Sequence, residues 1–324
     1  MEDLLKYTSI INTYFEEINV AKEPKNLYEP INYILQLGGK RIRPLLTILA
    51  TDMFSGNLKA ALPAATAIEV FHNFTLIHDD VMDNAPLRRG NATVHEKWDL
   101  NTAILSGDAM LIKALQFYQS YEKEMYKELS VNFLKTALEV CEGQQYDVDF
   151  ETQETVSEQQ YLKMIEYKTA VLLGLALQTG AIIANASKED VESMYNIGIN
   201  LGLAFQIQDD YLDTFGNANT FGKQIGGDII ENKKTYLFIK ALELAAPEDK
   251  IKLLHLYNSV TEDVHLKIEW VKNIFIKSNA NKFTLVAIKN FTNMALDKIV
   301  TLNIDENKKS ILKEFALNLM QRNI

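Results

Sequence analysis

Apolar residues recur three and four positions apart along most of this chain, the spacing that places them on one face of an α-helix. The first helix shows the pattern in Ile10, Ile11, Tyr14, Phe15 and Ile18. Only 6 prolines and 14 glycines occur among the 324 residues, and turn signals between alternating strands are missing. The sequence therefore predicts an all-α bundle of about ten or more helices.

The composition is that of a chain with a large buried core. Hydrophobic residues make up 47% of it, and neither a linker nor a repeat divides it, so we expect a single domain over residues 1–324. The 43 acidic residues exceed the 33 basic ones, which argues against a nucleic acid or an anionic membrane as partner. An anionic ligand would need metal ions to bind such a chain.

The sequence has one cysteine, Cys141, and begins with an acidic helical segment rather than a secretory leader. A single cysteine cannot form an internal disulfide, so we expect a cytoplasmic protein. The longest apolar stretch, Val171 to Ala186, is shorter than the ~18 to 20 residues of a membrane span. We interpret it as a buried helix and expect no stable membrane insertion.

Two acidic clusters share the pattern DDxxD. The first, in LIHDDVMD, consists of Asp79, Asp80 and Asp83 and ends an apolar helix. Asp79 and Asp83 are four residues apart, so they lie on one helical face at the negative end of the helix dipole. Like charges repel there, which predicts a bound cation.

The second cluster, in FQIQDDYLD, repeats this design with Asp209, Asp210 and Asp213. Carboxylates favour magnesium or calcium, and magnesium usually completes its octahedron with water and phosphate oxygens. One cluster alone could be a solvated helix end. Two clusters, each beside an apolar helix and a loop with Gly, Arg or Lys, favour a diphosphate bridged by metal ions.

Basic residues that could bind the remaining phosphate oxygens occur in the segments GGKRIRP, LRRG and FGK. Arginines can bind phosphate with two parallel hydrogen bonds. Taken separately, these residues could equally complement a helix C-terminus or be solvated loop charges. Further candidates are Lys168, followed by Thr169, and the pair Lys233 and Lys234, of which one is expected at the surface.

Five motifs resemble those of the polyprenyl synthetases, the trans-isoprenyl diphosphate synthases: GGKRIRP, LIHDDVMDNAPLRRG, EYKTA, FQIQDDYLDTFG and FGKQIGGDIIENKKTY. They occur in the family's order between about residues 38 and 236. The resemblance implies a homodimer whose helices surround a large central cavity, the isoprenoid synthase type. It also implies head-to-tail condensation of isopentenyl diphosphate with an allylic diphosphate, with roughly three Mg²⁺ per active site, for which Mn²⁺ could substitute.

The resemblance assigns roles to single residues. Metal binding belongs to Asp79, Asp80, Asp83, Asp209, Asp210 and Asp213. Contact with the allylic diphosphate belongs to Arg88, Lys168 and Lys223. Isopentenyl diphosphate would be held by Lys40, Arg43, His72 and Arg89. Lys233 matches a secondary phosphate-side lysine of the family. Thr169 and Gln206 would lie beside the reacting carbons.

His72 could instead be a satisfied core group, which is the commoner role of a single histidine on an apolar helix. It precedes Asp79 by seven residues, two turns along the same face, so it can face the same cavity. The spacing and the motif together favour a binding role.

The expected reaction begins with ionisation of the allylic diphosphate. Metal ions and basic residues would draw charge onto the departing pyrophosphate, and the double bond of isopentenyl diphosphate would attack the resulting cation. No protein nucleophile is required, and Cys141 has no apparent histidine partner. Because water would trap the cation, we expect a mobile lid at Gly216 to Gly227.

Product length should depend on side chains below the first acidic cluster, at about 1.5 Å per residue. Phe74 lies five residues before Asp79, Thr75 four before it, and Phe71 almost a turn deeper. An aromatic residue at minus five resembles geranylgeranyl-type enzymes, so we expect a twenty-carbon product, with fifteen carbons as the alternative. Phe71 and Phe74 could also be plain core residues, with the cavity floor on a helix such as Ala103 to Phe117.

Two other functions remain open. A class I terpene cyclase shares the fold and the metal-triggered ionisation, but its second metal motif is normally of the Asn/Asp, Ser/Thr and Glu type. A non-catalytic regulatory subunit of a prenyl synthase would be expected to lose one acidic cluster or the phosphate-binding residues. Both clusters are intact here.

Overall fold

The computed structural model describes residues 2–18, 22–217, 225–258 and 263–321. The prediction of an all-α protein is confirmed, because helices make up 81% of the structure. The helices are α1 (Glu2–Glu17), α2 (Lys25–Gln36), α3 (Ile42–Met53), α4 (Leu58–Met82), α5 (Val94–Lys97), α6 (Leu100–Phe117), α7 (Lys123–Thr152), α8 (Glu158–Ile165), α9 (Val171–Ile183), α10 (Lys188–Phe215), α11 (Gly227–Ile230), α12 (Tyr236–Leu244), α13 (Pro247–Asn258), α14 (Val264–Lys277), α15 (Ala280–Thr301) and α16 (Glu306–Met320). A 3₁₀ turn, Tyr118–Ser120, follows α6.

The chain divides into two compact units. The first consists of Met1–Leu134 and Leu175–Glu192, and the second of Lys135–Gly174 and Ser193–Ile324. Helices α7, α9 and α10 each contribute residues to both units. The single domain over residues 1–324 stays a prediction.

In the first unit, α4 packs against α3 and α6. Its apolar side chains account for this position, since Ile68, Phe71 and Ile77 are almost fully buried. The helix begins after Asn57, whose side chain accepts a hydrogen bond from the N–H of Lys59 at 3.0 Å. It ends at Asp83, so the first acidic cluster occupies its C-terminus.

Among the described residues, α4 is also the one helix that is long and apolar enough to cross a membrane. In its most apolar window, 72% of the residues are buried inside the protein, as in the core helix of a globular fold. The stretch that the sequence analysis singled out forms α9, whose residues are mostly buried, as predicted.

A small hairpin follows the first acidic cluster. Strand β1 (Leu87–Arg88) pairs antiparallel with β2 (Asn91–Ala92). The residues between them, Arg89 and Gly90, have φ angles of 53° and 76°, the left-handed conformations that a two-residue hairpin turn requires. Turn signals did not predict this hairpin, because Arg-Gly is not among the usual Asn-Gly and Asp-Gly pairs.

In the second unit, a hydrophobic core joins α8, the C-terminal half of α10 and helices α11 to α15. Ile207, Leu237 and Phe275 are among its fully buried side chains. Helix α8 begins with a reciprocal capping box between Ser157 and Gln160.

The α-helical pattern is interrupted between α8 and α9. Glu166–Ala170 form a single π turn, in which the N–H of Val171 bonds to the carbonyl of Glu166, five residues back instead of four. A π turn inserts one extra residue into a helix and is frequent at functional sites. This turn contains Lys168 and Thr169.

Candidate active site

The three aspartates of the first cluster have different surroundings. Asp79 is half-buried and Asp83 is exposed, whereas Asp80 is only 1% exposed. The carboxylate of Asp80 accepts hydrogen bonds from Nε and Nη2 of Arg88, at 2.7 and 2.6 Å to Oδ1. Asp80 therefore fixes the predicted diphosphate-binding arginine, and Asp79 and Asp83 are the more accessible of the three predicted metal ligands.

The residues predicted to bind isopentenyl diphosphate all belong to the first unit. Arg43 and His72 are half-buried, while Lys40 and Arg89 are exposed. Burial, and then the positive charges of Arg43 and Arg89, hold the pKa of His72 well below its usual range, so its imidazole is neutral. Burial lowers the pKa of Arg43 to about 10, and its Nε is a buried donor with no hydrogen-bond partner in the described part of the chain. A buried, unpaired donor next to other cations favours an anionic ligand.

Glu69 is a buried acid that the sequence analysis did not single out. It is 4% exposed, and its Oε1 accepts a hydrogen bond from Nδ2 of Asn73 at 3.3 Å. Burial raises the pKa of Glu69, and the positive charges of Arg43 and Arg89 lower it in part. Glu69 precedes His72 by three residues, so both share one side of α4, and this spacing was the available signal.

The second unit contains a cavity that brings together most of its predicted site residues. Its lining includes Lys168, Thr169, Gln206, Asp210 and Lys233, all of them predicted. Among the other polar residues that line it, Asp147, Tyr161 and Asp228 were not predicted. They lie on three segments that are far apart in sequence, and only Asp228 falls inside a quoted motif.

A chain of hydrogen bonds crosses this cavity. The hydroxyl of Thr169 donates to Oε1 of Gln206 at 2.9 Å, and Nε2 of Gln206 donates to Oδ1 of Asp210 at 2.9 Å. The hydroxyl of Tyr161 donates to the other oxygen of Asp210 at 2.6 Å. Burial raises the pKa of Tyr161 well above its usual range, so the phenol stays a donor. Thr169 and Gln206 are thus held side by side. Their position beside the reacting carbons stays a prediction.

Lys168 reaches the same cavity from the π turn. Its Nζ lies 2.5 Å from Oδ2 of Asp147, with both side chains partly exposed. Asp147 therefore fixes the position of the ammonium group.

The second acidic cluster is crowded with carboxylates. Asp209 is half-buried, while Asp210 and Asp213 are each 8% exposed. Asp228 joins them through its backbone N–H, which donates to Oδ2 of Asp213 at 3.0 Å. Burial raises the pKa of Asp228, and the charges of Asp210 and Asp213 raise it further, with Lys233 opposing them. Burial also raises the pKa of Asp210. Such crowding is relieved by a divalent cation.

The oxygen donors of both clusters fit Mg²⁺ in kind. Across the described residues, no three His, Cys, Asp or Glu side chains are grouped closely enough to hold a metal ion by themselves. Magnesium commonly takes one or two carboxylates and completes its octahedron with water and phosphate oxygens. Water and a phosphorylated substrate would therefore supply the remaining ligands.

The structure separates the roles of two adjacent lysines. Nζ of Lys233 lies 2.8 Å from Glu231 and 4.0 Å from Asp228, at the cavity. Nζ of Lys234 donates to the backbone carbonyls of Phe150 and Glu151, at 2.8 and 3.1 Å, near the C-terminus of α7. Lys234 thus complements a helix end, and Lys233 is the phosphate-side candidate.

Two predictions concern residues outside the described part of the chain. Lys223 lies there, as does most of the segment from Gly216 to Gly227 that we expected to form a lid. Both stay predictions.

The residues predicted to set product length pack within an aromatic cluster. The ring centroids of Phe71 and Phe74 are 5.5 Å apart, and Phe71 lies edge-on against Phe133 of α7 at 5.2 Å. Phe71 and Phe74 are 1% and 7% exposed, and Thr75 is half-buried. Their role in product length stays a prediction.

Comparison with known proteins identifies the family of this chain. A family model described as polyprenyl synthetase matches residues 24–274. A geranylgeranyl diphosphate synthase of Methanosarcina mazei is 40% identical over 245 residues, which are 75% of this chain and 76% of that protein. A short chain isoprenyl diphosphate synthase of Methanothermobacter thermautotrophicus is 34% identical over 320 residues, 98% of each chain.

Solved structures show the same relationship. A crystal structure of a geranylgeranyl pyrophosphate synthase has a TM-score of 0.95 and 50% identity, with 99% of both chains covered. The fold is that of the all-α isoprenoid synthases. The chain therefore belongs to the polyprenyl synthetase family, the trans-isoprenyl diphosphate synthases.

Proposed function

We propose that this chain is a short-chain prenyltransferase that condenses isopentenyl diphosphate with allylic prenyl diphosphates, head to tail and in trans, and releases pyrophosphate. Its main product is geranylgeranyl diphosphate, with farnesyl diphosphate as the next candidate. One observation carries the proposal: Thr169 and Gln206 are hydrogen-bonded to each other beside Lys168 and a carboxylate cluster. This set suits stabilisation of charge at a diphosphate and at an allylic cation, and it contains no protein nucleophile.

Each group of residues has a separate task in this reaction. The two acidic clusters fit Mg²⁺, which when bound would withdraw charge from the departing pyrophosphate. Arg88 and Lys168 place positive charge at the diphosphate, and Asp80 and Asp147 hold those two side chains in position. Thr169 and Gln206 direct oxygen lone pairs and an amide dipole toward the reacting carbons.

The second substrate is bound by a different set of residues. Arg43, Arg89, Lys40 and neutral His72 would hold the diphosphate of isopentenyl diphosphate, with Glu69 offsetting the positive charge of the arginines. The carbon–oxygen bond to pyrophosphate breaks first, and the double bond of isopentenyl diphosphate then attacks the allylic cation to form the new carbon–carbon bond. Loss of a proton to the released pyrophosphate restores an allylic diphosphate.

We further propose that roughly three Mg²⁺ act in each site, that Mn²⁺ can replace them, and that the enzyme is a cytoplasmic homodimer. Exposed apolar side chains on α6 and α7 of the first unit support a dimer. These are Ile104, Leu105, Ile112, Val131 and Leu134, between 39% and 60% exposed. Exposed apolar side chains of this size are often buried in an interface between copies.

Mass spectrometry of the products tests the proposal. Purified protein is incubated with Mg²⁺, isopentenyl diphosphate and, in separate reactions, a five-, ten- or fifteen-carbon allylic primer. We expect elongation that stops mainly at twenty carbons. Cyclic hydrocarbon formed from an allylic diphosphate alone would indicate a terpene cyclase, and a folded protein that elongates no primer would indicate a regulatory subunit.

A further inference from the structure

The π turn Glu166–Ala170 is in close contact with two glycines of the second unit. A Cβ atom on Gly143 of α7 would lie 2.2 Å from the backbone nitrogen of Lys168. A Cβ atom on Gly202 of α10 would lie 2.5 Å from Cα of Ala170. Real Cβ atoms essentially never come within 3.0 Å of a heavy atom from another part of the chain. Backbone atoms, unlike the end of a flexible side chain, cannot rotate away. Only glycine fits both places without moving the turn.

Each glycine precedes a hydrogen-bond partner of the π turn by four residues. Gly143 is followed at that spacing by Asp147, and Gly202 by Gln206. Residues four apart lie on the same face of a helix. The face of α7 that touches the turn at Gly143 therefore also carries the carboxylate that pairs with Lys168 at 2.5 Å. The face of α10 that touches it at Gly202 also carries the amide that accepts from Thr169 at 2.9 Å.

The geometry of the π turn is what places its two site residues. One inserted residue rotates the rest of a helix by about 100° relative to an uninterrupted one. The contact of Lys168 with Asp147 of α7 and the hydrogen bond of Thr169 to Gln206 of α10 both require this turn. They also require that both helices lie close to the turn. A shift of α7 by the width of a methyl group would lengthen the contact between Lys168 and Asp147, and a similar shift of α10 would lengthen the hydrogen bond between Thr169 and Gln206.

We propose that Gly143 and Gly202 are positioning residues for catalysis: by admitting the backbone of the π turn, they set where Lys168 and Thr169 lie. The inference rests on the proposed function, because those two side chains are assigned there to the diphosphate and the reacting carbons. It predicts a defect in the chemical step rather than in the binding of isopentenyl diphosphate, whose predicted ligands lie in the first unit.

Gly198 provides a matched control on the same helix. It lies one turn before Gly202, and a Cβ atom there would be 2.5 Å from Cα of Gly174 and 2.6 Å from the carbonyl oxygen of Leu173. Gly198→Ala therefore crowds α10 against α9 to a similar degree, but beyond the end of the π turn. A purely structural effect would be shared by all three glycines.

The test compares Gly143→Ala, Gly202→Ala and Gly198→Ala with the unchanged protein by steady-state kinetics and thermal unfolding. We expect the first two to lower kcat by about 10-fold or more while the KM for isopentenyl diphosphate changes less than about threefold. Gly198→Ala should lower Tm similarly and leave kcat within about threefold. Unchanged kcat in both site variants, or an equal loss in Gly198→Ala, would overturn the inference while leaving the proposed function intact.

Two outcomes remain decisive if the site variants do not fold. A crystal structure of the unchanged chain should show the N–H of Val171 bonded to the carbonyl of Glu166. A bond to Tyr167 instead, as in a continuous α-helix, would overturn the inference. An unchanged protein that is folded and elongates no primer would overturn the proposed function, and the inference with it.

Discussion

The guanidinium of Arg88 donates through Nε and Nη2 to the buried carboxylate of Asp80, with distances between 2.6 and 2.9 Å. The two residues are eight positions apart, and the hairpin after α4 brings the arginine back onto the helix end. Within one DDxxD motif, the middle aspartate thus orients a cation, and the outer two, Asp79 and Asp83, remain the more accessible.

Arg88→Ala should destabilise the protein, because it leaves Asp80 as a buried carboxylate without its main partner. We expect a loss of roughly 3 kcal/mol in the free energy of unfolding, measured with urea. Asp80→Asn in the same background should recover part of that loss, since a neutral amide is easier to bury. Equal stability of Arg88→Ala and the double variant would contradict a buried, unpaired carboxylate as the cause of the loss.

Thr169→Val replaces a hydroxyl by a methyl group of the same size, so it removes the hydrogen bond to Gln206 with little change in packing. We expect kcat to fall by about 10- to 100-fold and Tm to change little. Thr169→Ser keeps the hydroxyl and is the control that should retain most activity. A Thr169→Val enzyme as active as Thr169→Ser would remove the hydroxyl from the proposed chemistry.

Phe74→Ala should lengthen the product if the ring blocks the growing chain. We expect diphosphates longer than twenty carbons by mass spectrometry, at a cost of roughly 3 to 5 kcal/mol in stability from the cavity. Thr75→Phe adds a ring one residue nearer to Asp79 and should shorten the product toward fifteen carbons. Product lengths that stay the same in both folded variants would place the floor of the cavity elsewhere.

His72 should make stability depend on pH. Its pKa is lowered in the folded state, so its contribution is fully present above the unfolded pKa of about 6.5 and is lost as pH falls below that value. The loss can reach about 1.4 kcal/mol per pH unit. Urea unfolding at pH 7.5 and pH 5 should therefore show a smaller drop for His72→Gln than for the unchanged protein. Equal drops would mean that His72 titrates normally.

Leu105→Arg should disrupt the proposed homodimer, because it places a charge among the exposed apolar residues of α6. Sedimentation velocity is expected to show a dimer for the unchanged protein and a monomer for this variant. Ile251→Arg is the matched control, since Ile251 is 71% exposed on α13, a helix of the second unit. A monomeric unchanged protein, or a dimer that both variants retain, would contradict this assignment.

Regular structure was predictable from the sequence where one period covers a long segment. The helical spacing predicted an all-α protein, and the apolar run after Lys168 predicted a buried helix, α9. The π turn was not predictable from that spacing, because a single extra residue hardly changes an apolar pattern that is already nearly continuous. The hairpin at Arg89 was missed because its turn has Arg-Gly in place of the usual Asn-Gly or Asp-Gly. Its two left-handed φ angles are visible only in the structure.

The sequence by itself determined the helical class, the two aspartate clusters with their four-residue spacing, and the basic motifs that fit diphosphates. These properties depend on residue types and their spacing within short segments, which can be read directly from the sequence. The tertiary structure alone decided which charges are paired. In the folded chain Lys168 pairs with Asp147, 21 positions away, and Lys234 donates to a backbone carbonyl near the end of α7. The physical reason is that burial and electrostatic pairing depend on neighbours from distant segments, and their distances arise only when helices pack.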